Sequence, residues 1–151
     1  MKKIMFVCHG NICRSPMAEF VFKKMVADRG LSSEYVIASS ATSTEEIGND
    51  IHLGTRRTLD KYGIPHKRRE AVQITRLDYN KYDLFIGMDS ANIRNLSRIF
   101  GADPENKVVK LLDLTPRGGD VADPWYTGNF EDTFRDVNEG CAALLGKLES
   151  R

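Results

Sequence analysis

Cys8 and Arg14, with Ser15 directly after, are the residues of this chain whose types and spacing can do chemistry. A thiolate is a nucleophile, and a guanidinium fork grips phosphate oxygens in pairs. The residues between them, His9-Gly10-Asn11-Ile12-Cys13, contain neither the lysine of a GxxxxGK[ST] loop nor the glycines of a dinucleotide site. A loop between a strand and a helix N-terminus turns successive backbone N–H groups toward one point, and the helix dipole adds positive charge there. His9 to Ser15 therefore reads as a phosphate-binding loop with Cys8 at its mouth, built for attack of sulfur on phosphorus. The loop amides, the dipole, Arg14 and the Ser15 hydroxyl all favour the thiolate over the thiol, so no histidine partner is required. Attack on a phosphate ester gives a cysteinyl-phosphate, and the leaving oxygen needs a proton. Asp123, in Ala122-Asp123-Pro124-Trp125-Tyr126, is the candidate acid, because Pro124 stiffens the backbone beside it. The same carboxyl can then deprotonate water to hydrolyse the intermediate. Trp125 and Tyr126 offer apolar walls for an aryl ring. This chemistry calls for no metal and no cofactor, and His9, His52 and His66 are not at ligand spacing.

The elements that must position these groups follow from pattern. Ile4 to Val7 is a short apolar run that reads as a buried strand. A helix over 15–29 follows, with the Ser15 hydroxyl as cap, Pro16 at the first helical position and Gly30 as the stop. Tyr35 to Ser39 reads as a second strand, 40–50 as a polar loop, and 53–62 as a short helix closed by Gly63. Leu84 to Met88 is a third strand, and Asp89 is placed to cap a helix over 90–100. Val108 to Leu112 is a fourth strand, followed by a loop over 115–128. A last helix carries Phe130, Phe134, Val137, Cys141, Leu144, Leu145 and Leu148 on one stripe. Gly140 inside it is expected to cost ~1 kcal/mol relative to alanine. Strands alternating with helices predict an α/β fold: a four-stranded parallel sheet with helices on both faces, Rossmann-like, with the phosphate-binding loop after the first strand. The loops after Val7, Ser39, Met88 and Leu112 then share the carboxyl edge, where ligands bind in such sheets.

A single domain over 1–151 is expected from the length. Lys plus Arg (22) balance Asp plus Glu (21), so no global field points to nucleic acid or a membrane. No apolar run approaches the ~20 residues of a membrane span, and the first strand is too short for a signal segment. A monomer in the cytoplasm is the expectation. Three cysteines cannot all pair, and their spacing is neither a disulfide framework nor a zinc pattern. Cys141 lies on the helical stripe and reads as a buried hydrophobe. Cys13 either packs or, close to Cys8, pairs with it; spacing leaves both open. Taken alone, Asp123 also fits an ordinary turn before proline. The basic run Lys67-Arg68-Arg69 reads as a solvated surface.

Cys8-x5-Arg14-Ser15 occurs in several phosphatase folds, but the fuller pattern is more specific. Val7 to Pro16, Ala41-Thr42-Ser43, Gln73-Ile74-Thr75, Met88-Asp89 and Asp123-Pro124 with two aromatics after it resemble the low-molecular-weight protein tyrosine phosphatases along essentially the whole chain. The resemblance implies Cys8 as nucleophile, Arg14 as phosphate clamp and Asp123 as general acid and base. It implies Asn11 and Ser15 as the residues that hold the loop, with Ser15 stabilising the thiolate. Cys13 matches the family's second loop cysteine, a reversible redox partner of the nucleophile. Substrates would be phosphotyrosine proteins or aryl phosphates, held between Ile12, Glu45, Trp125 and Tyr126. Two positions depart from the pattern. Glu45-Glu46 stand where animal members carry a bulky aromatic beside the cleft. Arg69-Glu70-Ala71-Val72 replaces a His-x-Ala-Arg pattern, so a polar network from that segment to the loop is expected to be lost or rebuilt. Protein arginine phosphatases on the same scaffold carry threonine where this chain has Ile12, which favours phosphotyrosine. Thioredoxin-coupled arsenate reductases need further cysteines, and none lies between Asp78 and Phe100. A non-catalytic phosphate-binding module would require loss of the nucleophile or the acid, and both are present.

Overall fold

In a computed structural model that describes residues 1–150, β1 (Lys2–Cys8) is the inner strand from which the site grows. It is hydrogen-bonded on one side to β2 (Tyr35–Ala41) and on the other to β3 (Leu84–Gly87), with β4 (Val108–Lys110) beyond. All pairings are parallel, in the order β2-β1-β3-β4. The register sets Cys8 against Ala41, Val7 against Gly87, and Gly87 against Lys110, so the carboxyl ends finish together.

Side chains alternate across the pleat, and both faces of β1 are covered. Ile4, Phe6 and Cys8 enter one cluster with α1 (Arg14–Asp28) and α5 (Phe130–Glu149). Met5 and Val7 enter the other, with Phe85 and with Leu96 and Phe100 of α3 (Ser90–Phe100). A strand buried on both sides must be apolar throughout, which is why Ile4-Met5-Phe6-Val7 does not alternate. The shorter helices are α2 (Leu53–Lys61) and the single turn α4 (Pro124–Thr127).

Several local expectations change. Ser15 does not cap α1: the cap position is Cys13, no side chain bonds there, and Pro16 lies inside the first turn. The hydroxyl is bonded to Cys8 instead. The fourth strand ends at Lys110, and Leu111–Leu114 turn into a 3-10 helix that buries Leu111 and Leu112 completely. The segment 115–128 is not all loop, because Asp123 caps α4 within it by accepting from the Trp125 N–H at 3.1 Å. Asp89 caps α3 as expected, accepting from the Asn92 N–H at 2.8 Å, while the Asn92 side chain accepts from Asp89 N–H in return.

Gly140 is the sharpest reversal. A Cβ built there would lie 2.4 Å from Cγ of the fully buried Leu111. The residue that weakens an isolated helix lets α5 close onto the 3-10 turn. Gly140→Ala is therefore expected to destabilise the fold by about 1–3 kcal/mol through overpacking, measured as a fall in the urea midpoint. A rise in that midpoint would show that Leu111 yields and that helix propensity governs the position.

Candidate active site

The loop after β1 is shaped by where its carbonyl groups go. The Cys8 carbonyl accepts from Thr42 N–H at 3.0 Å, and that of His9 accepts from Ser43 N–H at 3.1 Å and its hydroxyl at 2.9 Å. The Ile12 carbonyl accepts from His52 N–H at 2.8 Å, and that of Cys13 from the Thr55 hydroxyl at 3.3 Å. Arg69 Nη2 donates to the Asn11 carbonyl. Each of these carbonyls is drawn outward by a neighbouring segment, which leaves amide N–H groups turned inward. Asn11 makes the reversal possible. Its φ of 59° lies in the left-handed region, where asparagine is tolerated far better than bulky residues.

Inside the loop the donors converge on the Cys8 sulfur. Asn11 N–H donates to it at 3.3 Å and Ser15 N–H at 3.4 Å, and Ser15 Oγ lies 3.0 Å away. Ser15 Oγ already accepts from Asn11 Nδ2 at 2.8 Å, so its own hydrogen is free to point at sulfur. The same Asn11 Nδ2 donates to Ser39 Oγ at 2.9 Å, and Ser39 donates to Glu19 Oε1 at 2.6 Å. Asn11 Oδ1 accepts from Val72 N–H at 3.2 Å. Asn11 is fully buried with its amide satisfied on both sides, and thus works as the fixed centre of the loop. Burial, followed by the charges of Cys8 and Asp123, pushes the Cys13 thiol up to about 12. Burial likewise raises the thiol of Cys141, which sits on α5 against the Ala18 carbonyl of α1.

Arg14 is only 3% exposed, and its guanidinium is oriented from behind. Nη1 donates to Asp89 Oδ2 at 2.7 Å and to the Val121 carbonyl at 3.1 Å, and Nη2 donates to Asp123 Oδ2 at 3.3 Å. Burial works against the charge, but Cys8, the Asp89 hydrogen bond and Asp123 outweigh it and raise the pKa. Asp89 thus has two tasks, one oxygen capping α3 and the other aligning Arg14. Asp123 is similarly divided between the α4 cap and Arg14.

A cavity of about 110 Å³ opens above the sulfur. Cys8, Arg14 and Asp123 all line it, as do His9, Gly10, Ile12 and Cys13 of the loop and the rim residues Glu45, Glu46, Trp125 and Tyr126. Ile12 is nearly buried and packs against Ala71 and Phe130. Trp125 and Tyr126 are 59% and 84% exposed, and the His52 ring supports Trp125 edge-on at 5.9 Å. His52 in turn stacks on Phe130 at 5.2 Å. Every residue picked from sequence for the site thus lies at one place. Among the described residues no group of three His, Cys, Asp or Glu side chains is placed to hold a metal ion.

Sequence reasoning missed the supports. Arg69 is not part of a solvated run: it is partly buried, and besides Asn11 it reaches the Asn49 carbonyl at 3.3 Å. Burial lowers its pKa, opposed by Glu19, Cys8 and Asp50 around it. The network from this segment is rebuilt around a guanidinium. Asp89 was visible as a helix cap but not as the partner of Arg14, and the Val121 carbonyl carries no side-chain signal at all.

The comparisons agree with this geometry. A family model described as low molecular weight phosphotyrosine protein phosphatase matches residues 3–151. Low molecular weight protein-tyrosine-phosphatase YfkJ of Bacillus subtilis is 37% identical, over 99% of this chain and 97% of that protein. The rat low molecular weight phosphotyrosine protein phosphatase is 38% identical, over 97% of this chain and 95% of its own. Among solved structures, that of YfkJ superposes with a TM-score of 0.94 at 38% identity, covering 99% of this chain and 95% of the other. SP-PTP, a low molecular weight protein tyrosine phosphatase from Streptococcus pyogenes, gives 0.89 at 44%, covering 100% and 95%. With the fold, the Cys8–Arg14 loop and a family match over nearly its whole length in agreement, the chain belongs to the low molecular weight phosphotyrosine protein phosphatase family.

Proposed function

We propose that the protein hydrolyses phosphotyrosine in proteins through a cysteinyl-phosphate. The observation that carries this reading is the convergence of two amides and a hydroxyl on the Cys8 sulfur, in a pocket shared with Arg14 and Asp123. Donors aimed at sulfur favour the thiolate, and Cys13, with its thiol pushed up to about 12, is the poorer nucleophile of the two. In the first step Cys8 sulfur bonds to phosphorus as the phosphorus–oxygen ester bond breaks. Asp123 gives its proton to the departing phenolate. In the second step Asp123 takes a proton from water as its oxygen attacks phosphorus, and the sulfur leaves as thiolate with inorganic phosphate released. Arg14, aligned by Asp89 and Val121, holds the equatorial oxygens through both steps.

Specificity follows from depth. The phosphate must reach the loop floor to meet Cys8; a phenyl ring spans the entrance past Trp125 and Tyr126, whereas a serine side chain is too short. Phosphoarginine would bring a polar guanidinium against Ile12, which offers no hydrogen bond in exchange for lost hydration. The three cysteines are free thiols, which fits work in a reducing compartment such as the cytoplasm. The test is kcat/KM on matched phosphotyrosine, phosphoserine and phosphoarginine peptides. Phosphotyrosine is expected to lead both others. A lead for phosphoarginine would overturn this reading.

A further inference from the structure

The pocket mouth is acidic, with the His9 imidazole set against Glu45. Arg14, the cation of the site, is 3% exposed at the floor and already faces Asp89 and Asp123. Around the opening stand the carboxylates of Glu45 and Glu46, the first with 69% of its side chain exposed. Each glutamate has a hydrogen-bond partner at the rim. Glu45 Oε2 lies 2.9 Å from His9 Nε2, and Glu46 Oε2 accepts from Asn49 Nδ2 at 2.6 Å. Glu46 also packs its Cγ 3.3 Å from where a Cβ on Gly10 would stand, so its stem lies directly over the loop. The rest of the rim is aromatic, with Trp125 and Tyr126 both exposed.

A phosphate dianion therefore descends past the negative charge of Glu45 and Glu46 to reach its binding loop. A substrate that carries positive charge beside the phosphotyrosine offsets that repulsion, and one with acidic neighbours adds to it. Arginine fits this rim better than lysine. Its guanidinium pairs with a carboxylate through two hydrogen bonds and also lies flat on exposed aromatic faces. We propose that Glu45 and Glu46, with Trp125 and Tyr126, make this pocket select phosphotyrosine flanked by arginine and reject phosphotyrosine flanked by acidic residues. The inference rests on the phosphotyrosine reading of the site.

The test uses three phosphotyrosine peptides that differ only in carrying arginine, alanine or glutamate on either side of the phosphotyrosine. The quantity read is the ratio of kcat/KM for the arginine and glutamate peptides within each protein, so that any loss common to both cancels. In the wild-type protein the ratio should be about tenfold, the size expected of a few exposed charge pairs. It should shrink steadily as salt rises, which needs no variant at all. In Glu45→Gln/Glu46→Gln it should fall toward one, and in Glu45→Lys/Glu46→Lys it should invert. A wild-type ratio near one, or a ratio that neither salt nor the double variants move, overturns the proposal. Turnover of all three peptides without charge preference leaves the phosphotyrosine reading standing. Turnover of none, with phosphoarginine peptides cleaved, removes that reading as well.

Discussion

Replacing Cys8 by serine is expected to cut aryl phosphate hydrolysis by about 10⁶-fold or more, the scale on which loss of a covalent nucleophile registers. Inorganic phosphate should still bind. The two properties separate because different atoms supply them. Attack needs a sulfur anion, and the Asn11 and Ser15 amides and the Ser15 hydroxyl are aimed at the Cys8 sulfur, where they can hold one. A serine hydroxyl holds its proton far more tightly, and no general base among the bonded neighbours of Cys8 is placed to take it. Binding, by contrast, comes from backbone N–H groups and Arg14, which the substitution leaves in place. Steady-state hydrolysis and calorimetric titration with phosphate read the two sides independently. Activity within about tenfold of wild type would remove Cys8 from the nucleophile role.

Asp123→Asn should lower kcat/KM by about 10²–10⁴-fold for phosphate esters with poor leaving groups, the usual contribution of a general acid. Activated aryl phosphates should lose much less, since their phenolates depart without a proton. Asparagine is as good a helix cap as aspartate, so the bond from Trp125 N–H and the start of α4 should survive. Arg14 would keep Asp89 and Val121 as partners. The variant thus isolates proton transfer from architecture. A plot of log kcat/KM, which covers the steps up to departure of the leaving group and not hydrolysis of the shared intermediate, against leaving-group pKa should steepen relative to wild type. A uniform loss across the series would assign Asp123 to loop or Arg14 positioning instead.

What could be read in the sequence was the part carried by local pattern. Cys8, Arg14 and Ser15 sit within one strand-loop-helix unit, where spacing along the chain is nearly spacing in space. Asp123 could be placed because each strand's carboxyl end feeds the same edge. Reading failed where a residue serves two masters or a distant partner. Ser15 has the right type and place for a cap, but the sulfur 3.0 Å away claims its hydroxyl. Arg69 looked like surface because its partner, the Asn11 carbonyl, lies 58 residues back in the chain. Asp89 showed its local role in α3, while its bond to Arg14 spans 75 residues. Gly140 was judged by helix propensity, a local quantity, when contact with Leu111 decides it. The 3-10 turn after β4 begins in an apolar run that strand pattern alone extends too far.

The outward ties of the loop carbonyls bear on how the protein comes into being. The groups that shape the surroundings of Cys8 are synthesised well after it. Thr42, His52 and Arg69 secure the carbonyls, Asp89 aligns Arg14, and Val121 and Asp123 come last, 107 and 109 residues after Arg14. At about 5–20 residues per second, the nascent chain carries its thiol for several seconds before the loop around it can close. Until then the Cys8 sulfur lacks the donors and the Arg14 clamp that act on a phosphate ester. Catalytic competence thus waits until the segment carrying Val121 and Asp123 docks onto the loop after β1.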